Sequence, residues 1–389
     1  MKIAILGGGV AGISSAIAFK QRGCDVTVYE RLEAPSNIGA GIVVWPNAAY
    51  VLEQLGVLNE IKAVSGYPKR MRRLSSSNED LGAIDIEMIN RDMGYPSLSI
   101  LRNDFQNTLL AKLESMDVSI KYGHKVVNVE TIDAGQAEVY FQNGEKVSAD
   151  LIIGTDGRMA SYARQYVQGD NAPVYQGFIN WIGVYESAEE SFDEISVADY
   201  WGVGERFGIV PVTKYKAYWA GAIACTDIGT KNPAAYKDEL LSIFSNWPIP
   251  VAKMIEYTPI DRINKIYVHD HDPIKTWHKH NLIAIGDAAH ASLPTSGQGA
   301  CQALEDAWHL SNCVMEQPRN LANAFAEFTA IRLEKTTNIT MAGRGLALSL
   351  FNRDEKFCRE RNQASKNTDY AKVAAAMSRG WSQHLQLNA

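Results

Sequence analysis

The sequence predicts an α/β protein in which a buried parallel sheet carries an inserted antiparallel sheet and is followed by C-terminal helices. Three observations support this fold class. The segment 1–30 has the pattern of a strand, a glycine-rich turn, a helix and a second strand. The segment 171–270 is rich in Trp, Tyr, Val and Ile, residues that strands favour. From about residue 319 onward, apolar residues recur at helical spacing.

The opening segment has the pattern of a Rossmann-like βαβ unit. The apolar run KIAIL leads into Gly7, Gly9 and Gly12, a helix ends at Gly23, and the strand DVTVYE ends in Glu30. Such glycines let the backbone approach a pyrophosphate at a helix N-terminus, and the acidic residue can bind a ribose. We therefore predict a dinucleotide site and disfavour a glycine-rich turn without a ligand. The fingerprint alone does not distinguish NAD from FAD.

The middle of the chain is predicted to alternate between helices and strands. Helical periodicity over residues 48–64 and 104–116 predicts two helices. Alternation on both sides of Asn143-Gly144 predicts a hairpin. The segment 171–270 predicts an antiparallel sheet that is interrupted by one helix near YKDELLSIFSNW. The simplest organisation is a nucleotide-binding domain formed by both ends of the chain, with a β-rich insertion between them.

Composition argues against several classes of partner. The net charge of −6 argues against a nucleic-acid partner. Five scattered cysteines without a C-x-x-C pair argue against a disulfide framework and a zinc site. Two histidines lie close together in YVHDHDP, but no third ligand follows a matching pattern, so no metal is predicted. No apolar run approaches the roughly 20 residues that span a bilayer. Because the first strand begins at Lys2, we expect no targeting peptide and a soluble, cytoplasmic protein without a membrane partner.

Two further glycine motifs each follow a buried strand. In LIIGTDGRMASYAR the strand is followed by Asp156-Gly157. In LIAIGDAAHASLPTSGQGACQALEDA the strand ends in Gly286-Asp287, and a second turn introduces a helix at Gly299. A carboxylate at the end of a strand can bind sugar hydroxyls, and a helix N-terminus offers free N–H groups to an anion. Their order and spacing are more specific than any one motif.

Together the three motifs resemble those of the single-component FAD-dependent aromatic hydroxylases, the family of para-hydroxybenzoate and salicylate hydroxylases. The resemblance extends to about residue 345. Within it, GIVVWPNA, FINWIGV, GERFGIVPVTKYKAYW and TSGQGACQALEDA are most similar to the bacterial FAD-dependent urate hydroxylases. The resemblance implies a Rossmann-like FAD-binding domain of the glutathione-reductase type, with FAD at the opening glycines and NADH or NADPH as the electron donor.

The resemblance also implies the residues of the FAD site. The first motif would hold the ADP half, the second would contact FAD and the nicotinamide donor, and the third would hold the ribityl chain and pyrophosphate. One extra residue between Gly157 and Ser161 departs from the family pattern, so no role is assigned to Ser161 or Arg164. The cofactor-binding residues implied are Gly7, Gly9, Val10, Ala11, Gly12, Glu30, Arg31, Val43, Arg102, Val126, Asp156, Asp287, Pro294, Gly297, Gln298, Gly299, Ala300 and Cys301.

The resemblance places three residues of the inserted sheet at the substrate. Asn180 and Arg206 match the substrate-binding asparagine and arginine, and Tyr218 matches the tyrosine paired with that arginine. Arg206 and Tyr218 are therefore the predicted catalytic residues. If the turn near TKYK closes a hairpin, these two side chains can share one face of a sheet. Without the resemblance, the ordinary interpretations are a sheet-edge charge for Arg206, a half-buried core aromatic for Tyr218 and a bulge residue for Asn180.

These assignments predict a flavoprotein monooxygenase that uses FAD, NADH or NADPH, and O₂ to hydroxylate an aromatic or N-heterocyclic anion. Urate, hydroxylated at C5 in purine metabolism, is the best single candidate. Two alternatives stay open. One is a hydroxylase of another aromatic compound, such as a salicylate-like, quinolone-like or antibiotic substrate. The other is a flavin reductase or redox module that transfers no oxygen.

The predicted domains are discontinuous in sequence. The boundaries are 1–70, 97–170 and 275–350 for the FAD-binding domain, 71–96 and 171–274 for the substrate domain, and 351–389 for a C-terminal helical segment. We expect this last segment to be a packing or dimer helix and the protein to be a monomer or homodimer.

Overall fold

The computed structural model describes residues 1–35, 40–133 and 135–387. The strands that these residues form are, in chain order, β1 (Lys2–Leu6), β2 (Asp25–Tyr29), β3 (Gly41–Val44), β4 (Arg70–Ser75), β5 (Asp80–Asp85), β6 (Leu98–Leu101), β7 (Ile120–Lys121), β8 (Val126–Asp133), β9 (Gln136–Phe141), β10 (Lys146–Ala149), β11 (Leu151–Gly154), β12 (Val174–Glu186), β13 (Val197–Trp201), β14 (Glu205–Pro211), β15 (Lys216–Ala224), β16 (Asn264–Asp270), β17 (His278–Lys279) and β18 (Leu282–Ala284).

The α-helices of the described residues are α1 (Val10–Gln21), α2 (Pro46–Gln54), α3 (Leu58–Ala63), α4 (Ile86–Met93), α5 (Arg102–Glu114), α6 (Tyr162–Gln168), α7 (Tyr236–Phe244), α8 (Ile249–Tyr257), α9 (Asp287–His290), α10 (Gly299–Glu316), α11 (Leu321–Leu350), α12 (Glu355–Lys366) and α13 (Tyr370–Ser382). Short 3₁₀ turns lie at Pro233–Ala235, Ile260–Arg262 and Pro294–Ser296.

A six-stranded sheet in the order β17-β18-β11-β1-β2-β7 forms the nucleotide-binding half of the fold. All its pairs are parallel except the short pair β17–β18. The chain passes from β1 to β2 on one side of β1, and it later adds β11 on the other side. In open α/β sheets, ligands bind beyond the carboxyl ends of the strands at such a switch point.

A seven-stranded sheet in the order β16-β12-β15-β14-β13-β4-β5 forms the inserted half. One face packs against α7 and α8 in an apolar core that includes Trp181, Phe207 and Trp219. The other face lies towards β3 and β6, where the Ser99 hydroxyl donates a hydrogen bond to the Pro211 carbonyl at 2.6 Å. One face of this sheet is therefore sealed, and the other meets the nucleotide-binding half.

The structure differs from the sequence predictions in three places. The helix predicted over 48–64 is divided into α2 and α3, because Gly56 takes a φ of +69° and ends the first helix. The β-rich insertion contains two helices rather than one, since Pro248 starts α8 directly after the predicted helix. The inserted sheet is not wholly antiparallel, because β4 joins β13 in parallel.

Other predicted elements are confirmed. The hairpin at Asn143-Gly144 joins β9 and β10, whose residues pair antiparallel. The helix predicted over 104–116 is α5, and from about residue 319 onward the described residues form the helices α11 to α13, as predicted. The domain boundaries stay a prediction. Among the described residues, none of the helices combines the length and the apolar character needed to cross a bilayer.

Candidate active site

The three glycine motifs and Glu30 lie along one edge of the six-stranded sheet. The first motif follows β1, Glu30 follows β2, Asp156 follows β11 and Asp287 comes shortly after β18. Because these four strands are parallel, their carboxyl ends meet at the same edge. Segments that are as much as 280 residues apart in sequence therefore form one groove.

The first motif brings the backbone close to the groove. A Cβ on Gly12 would lie 1.9 Å from the Gly7 carbonyl oxygen, so no side chain fits between this turn and the helix. Gly9 is different, since it is exposed and a Cβ there would meet no described atom within 4 Å. Helix α1 begins immediately after Gly9, with no side chain capping its first N–H groups. These groups are free to bind a phosphate.

The third motif repeats this arrangement at the start of α10. Gly297 takes a φ of +63° and turns the chain into the helix. A Cβ on Gly299 would meet no described atom within 4 Å, and Gln298 provides no side-chain cap. We call the uncapped starts of α1 and α10, with Gly9 and Gly299, the backbone cradle. Its free N–H groups and positive helix ends suit an anionic dinucleotide.

Charged side chains complete the groove. The Glu30 carboxylate accepts hydrogen bonds from the backbone N–H groups of Gly8 at 2.7 Å and Leu32 at 2.9 Å, which fixes it at the end of β2. Arg102 begins α5, and its side chain is accessible to solvent although many protein atoms lie around it. The surrounding protein lowers the pKa of the guanidinium by desolvation, and the negative charge of Asp287 acts in the opposite direction. A side chain that is both accessible and surrounded lines a deep open groove.

The structure adds Arg158, which sequence reasoning missed. Its guanidinium lies 3.1 Å from the Asp287 carboxylate, and both side chains are partly exposed. Two guanidinium groups, Arg102 and Arg158, thus lie near one carboxylate, Asp287. The positive charges outnumber the negative one, which favours binding of an anionic diphosphate. The signal was present in the sequence, because Arg158 directly follows Asp156-Gly157.

Asp156 has a visible task in the loop that follows β11. Its carboxylate accepts hydrogen bonds from the Ser161 hydroxyl at 2.5 Å and from the Tyr162 and Ala163 N–H groups. Ser161 in turn caps α6, and the Arg164 guanidinium donates to the carbonyls of Asp272, Ala288 and Ala289. These hydrogen bonds fix the loop despite its extra residue, and the Arg164 contacts join the second motif to the third.

The remaining predicted cofactor residues lie around this groove. Arg31 is exposed beside Glu30, and Val43 and Val126 are half-buried at β3 and the start of β8. Val10, Ala11 and Ala300 belong to the two helix starts, and Pro294 is exposed before α10. Cys301 is buried with its thiol 3.6 Å from the Val43 carbonyl, and burial raises its pKa to about 12, so the thiol is protonated at neutral pH.

A fully buried ionic network lies directly behind the start of α10. Arg332 of α11 pairs with Glu305 and, at 2.7 Å, with Asp306, and Lys335 pairs with Glu305 at 2.8 Å. Asp306 also accepts from the Gly286 N–H at 2.8 Å, at the turn before Asp287. Through this hydrogen bond the network fixes the turn of the third motif.

The same network reaches the C-terminal helices. The Lys335 ammonium donates to the carbonyls of Trp381 and Gln383, at 2.6 and 3.2 Å. The ring of Trp381 packs 4.8 Å from that of Trp45, whose indole N–H donates to the Gly297 carbonyl. The end of the chain thus packs against the cofactor groove.

Asn180, Arg206 and Tyr218 lie on one face of the inserted sheet. Arg206 and Asn180 are each paired with Ala222, and Tyr218 is paired with Val210, four residues along the strand from Arg206. Because side chains alternate along strands, all three point to the face opposite the core with α7 and α8. We call this the pocket face. The predicted hairpin and the shared face are therefore present.

The pocket face contacts the nucleotide-binding half through Tyr218. A Cβ on Gly41 would lie 2.0 Å from the Tyr218 ring, so only glycine allows this approach. Burial raises the pKa of Tyr218, although part of the residue stays accessible, and its hydroxyl makes no hydrogen bond to the described residues. Asn180 is only 7% exposed, and its amide also has no hydrogen-bond partner among them.

Arg206 does not pair with Tyr218 in this structure. Its Nε donates to the Asp199 carboxylate at 2.6 Å, and one terminal nitrogen lies over Gly208, where a Cβ would be 4.0 Å from it. The pairing with Asp199 was missed, although the loop Gly202-Val203-Gly204 is a hairpin signal that could have placed β13 beside β14. No group of three or more His, Cys, Asp or Glu residues in the described chain is placed to hold a metal.

Comparison with known proteins identifies the cofactor of this groove. The model of the FAD binding domain family matches residues 1–322. The chain belongs to this family. It is 31% identical over 349 residues to the FAD-dependent urate hydroxylase of Mycolicibacterium vanbaalenii, covering 88% of this chain and 87% of that protein. It is 30% identical over 338 residues to the aurachin C monooxygenase/isomerase of Stigmatella aurantiaca, covering 87% and 86%.

Solved structures agree. Klebsiella pneumoniae HpxO complexed with FAD and uric acid has a TM-score of 0.89 and 26% identity, covering 98% of this chain and 96% of that one. The predictions of the fold, of FAD as the cofactor and of an FAD-dependent monooxygenase are confirmed. The backbone cradle fits FAD, since both helix starts lack a side-chain cap and Arg102 and Arg158 lie near Asp287 at the same edge of the sheet.

Proposed function

We propose that the protein hydroxylates a planar N-heterocyclic anion with NADH or NADPH as donor, and that urate, hydroxylated at C5, is the substrate. The observation that carries the proposal is the pocket face. It holds a cation, Arg206, and an amide that makes no hydrogen bond to the described residues, Asn180, in one cross-strand row. Both side chains can therefore offer hydrogen bonds to a ligand on this face.

The relatives favour the same substrate class. Besides urate hydroxylases, they include the 6-hydroxynicotinate 3-monooxygenase of Pseudomonas fluorescens, 27% identical over 368 residues. Urate and 6-hydroxynicotinate are both nitrogen heterocycles that carry oxygen and can be anionic. The pocket face suits this shared chemistry, because a guanidinium binds anionic oxygen and an amide both donates to and accepts from ring N–H and C=O groups.

Each residue of the pocket face has a distinct task in the proposed reaction. FAD supplies electron transfer and oxygen activation when bound. Arg206 binds the anionic edge of the ring with the terminal nitrogens that Asp199 leaves free. Asn180 fixes the orientation of the ring through its amide. Tyr218 is protonated at neutral pH, as an ordinary tyrosine is, and burial raises its pKa further, so its hydroxyl can donate a hydrogen bond and hold a proton near the reacting atoms.

Apolar side chains close the far end of the pocket face. Phe178, which lies in the row next to Asn180, stacks on Phe351 with ring centroids 4.1 Å apart. Leu293, which lies within the third motif, belongs to the same buried cluster. These contacts exclude water from one side of the ring, which strengthens the polar interactions on the other side.

The test is a substrate panel with purified FAD-loaded protein. With urate present we expect faster oxidation of NADH or NADPH and, under ¹⁸O₂, one labelled oxygen atom in the product. Arg206→Ala should keep FAD but lose the stimulation by urate, whereas Arg262→Ala, at an exposed arginine paired with Glu186, should not. If another aromatic anion stimulates turnover and urate does not, the urate assignment is wrong. Donor oxidation without ¹⁸O in any product would indicate a reductase.

A further inference from the structure

Asp199 is a buried carboxylate on the pocket face with no assigned role. It is paired with Gly208 across β13 and β14, so its side chain points to the same face as Arg206. It is 5% exposed. One carboxylate oxygen accepts from the Arg206 Nε at 2.6 Å, and the other accepts from the Trp201 indole N–H at 2.9 Å. Both oxygens are thus fixed by rigid, planar donors.

The geometry of Arg206 follows from this contact. A guanidinium presents five N–H donors in one plane, and Asp199 engages the Nε side of that plane. The terminal nitrogens are left on the far side, with one over Gly208. Gly208 has no side chain and Ala220, its cross-strand neighbour, has only a methyl group, so neither position puts a long side chain on this part of the pocket face. Arg206 therefore points along its strand towards Tyr218.

The cations around Asp199 come from two further elements. Arg73 of β4 and Arg361 of α12 lie against the Trp201 ring, with their guanidinium carbons 5.0 and 5.3 Å from its centroid. Arg361 also donates to the Gly202 carbonyl at 2.9 Å. Two cations therefore contact the Trp201 ring, whose indole N–H donates to Asp199. The C-terminal segment supports the pocket face through this contact.

We propose that Asp199 is a positioning residue that turns the Arg206 guanidinium so that its terminal nitrogens, and not its Nε, face the substrate. It thereby selects planar ligands that offer acceptors to the terminal nitrogens. The inference rests on the function proposed above, because it assigns substrate binding to Arg206. Asp199 itself touches neither the substrate nor FAD, and its effect on binding passes through Arg206.

The experiment is a double-mutant cycle on the FAD-loaded protein. The dissociation constant of urate is measured from the change in flavin absorbance for wild type, Asp199→Asn, Arg206→Gln and the double variant. We expect Asp199→Asn to weaken urate binding at least tenfold in the wild-type background and less than twofold in the Arg206→Gln background. Asp193→Asn, at an exposed carboxylate of the same sheet region, is the matched control and should change binding less than twofold.

Two outcomes of the cycle overturn the proposal. One is an equal loss of binding in both backgrounds, which would mean that Asp199 acts on the fold. The other is unchanged binding in Asp199→Asn. If Arg206→Gln itself leaves urate binding unchanged, the proposed function has failed instead.

A measurement without ligand distinguishes failure of the positioning role of Asp199 from failure of the proposed function. In ¹⁵N-labelled protein, the Arg206 Nε–H should exchange slowly with solvent in wild type and at least tenfold faster in Asp199→Asn. Fast exchange in wild type would contradict the positioning role even if urate is not the substrate. The flavin content of each variant shows that the protein is folded.

Discussion

His309 provides a pH-dependent test of the packing behind the backbone cradle. It lies in α10, is 7% exposed, and its Nε2 has no hydrogen-bond partner among the described residues. Burial, assisted by the nearby Arg332, lowers its pKa to about 4 from the ordinary 6.5. The folded state therefore binds fewer protons than the unfolded state between these values, and stability falls as the pH falls.

The magnitude follows from the two pKa values. At pH 7 the histidine is neutral in both states and contributes almost nothing. At pH 5 it lowers the free energy of unfolding by about 2 kcal/mol, and below pH 4 by about 3 kcal/mol. His309→Leu removes the titrating group and the buried nitrogen without a partner. We therefore expect the variant to gain about 2 kcal/mol over wild type between pH 7 and pH 5.

The assay is urea denaturation of wild type and variant at pH 7, 6 and 5, with FAD in excess. His280→Asn is the control, since His280 is exposed and asparagine tolerates its φ of +52°. Parallel pH dependences of the unfolding free energy for His309→Leu and wild type would refute the reasoning. They would mean that His309 has the same pKa in the folded and the unfolded state.

Three further perturbations test other parts of the site. Asp287→Ala removes the carboxylate beside the cradle and should lower the ratio of flavin to protein absorbance after dialysis; full occupancy would contradict its role. Gly41→Ala places a Cβ 2.0 Å from the Tyr218 ring, and the displaced tyrosine should lower urate-coupled turnover by about 10²-fold with FAD retained; wild-type turnover would refute the contact. Lys335→Met leaves Glu305 with one cation fewer and should cost about 3 kcal/mol in urea unfolding. It should also speed trypsin cleavage in the C-terminal helices, because Lys335 no longer donates hydrogen bonds to the Trp381 and Gln383 carbonyls. An unchanged cleavage rate would contradict this role of Lys335.

The cofactor groove is predictable from the sequence because each motif that forms it is a short, continuous stretch of sequence. Each motif directly follows a buried strand, and parallel strands bring their carboxyl ends together whatever lies between them. The sequence pattern alone therefore places Gly9, Gly299 and Glu30 in one groove. The same holds for the shared face of Arg206 and Tyr218, which depends only on a hairpin and the period of a strand.

The contacts that position these groups are not predictable, since they join residues that the sequence does not mark as neighbours. The loop Gly202-Val203-Gly204 marks β13 and β14 as neighbours, but it does not show that Asp199 binds Arg206, and no local signal indicates that β13 pairs with β4, more than 120 residues earlier. Lys335 reaches the Trp381 carbonyl through the packing of two helices. A lone buried lysine or aspartate has no periodic signature, so its partner becomes visible only when the fold does.

The most direct test of the whole account is the rate of flavin reduction measured anaerobically by stopped flow. Wild-type protein is mixed with NADH or NADPH, with and without urate, and the loss of the oxidised flavin absorbance is followed. If the pocket face binds urate next to FAD, urate should accelerate reduction by at least tenfold and Arg206→Ala should abolish the acceleration. Equal reduction rates with and without urate would contradict the account.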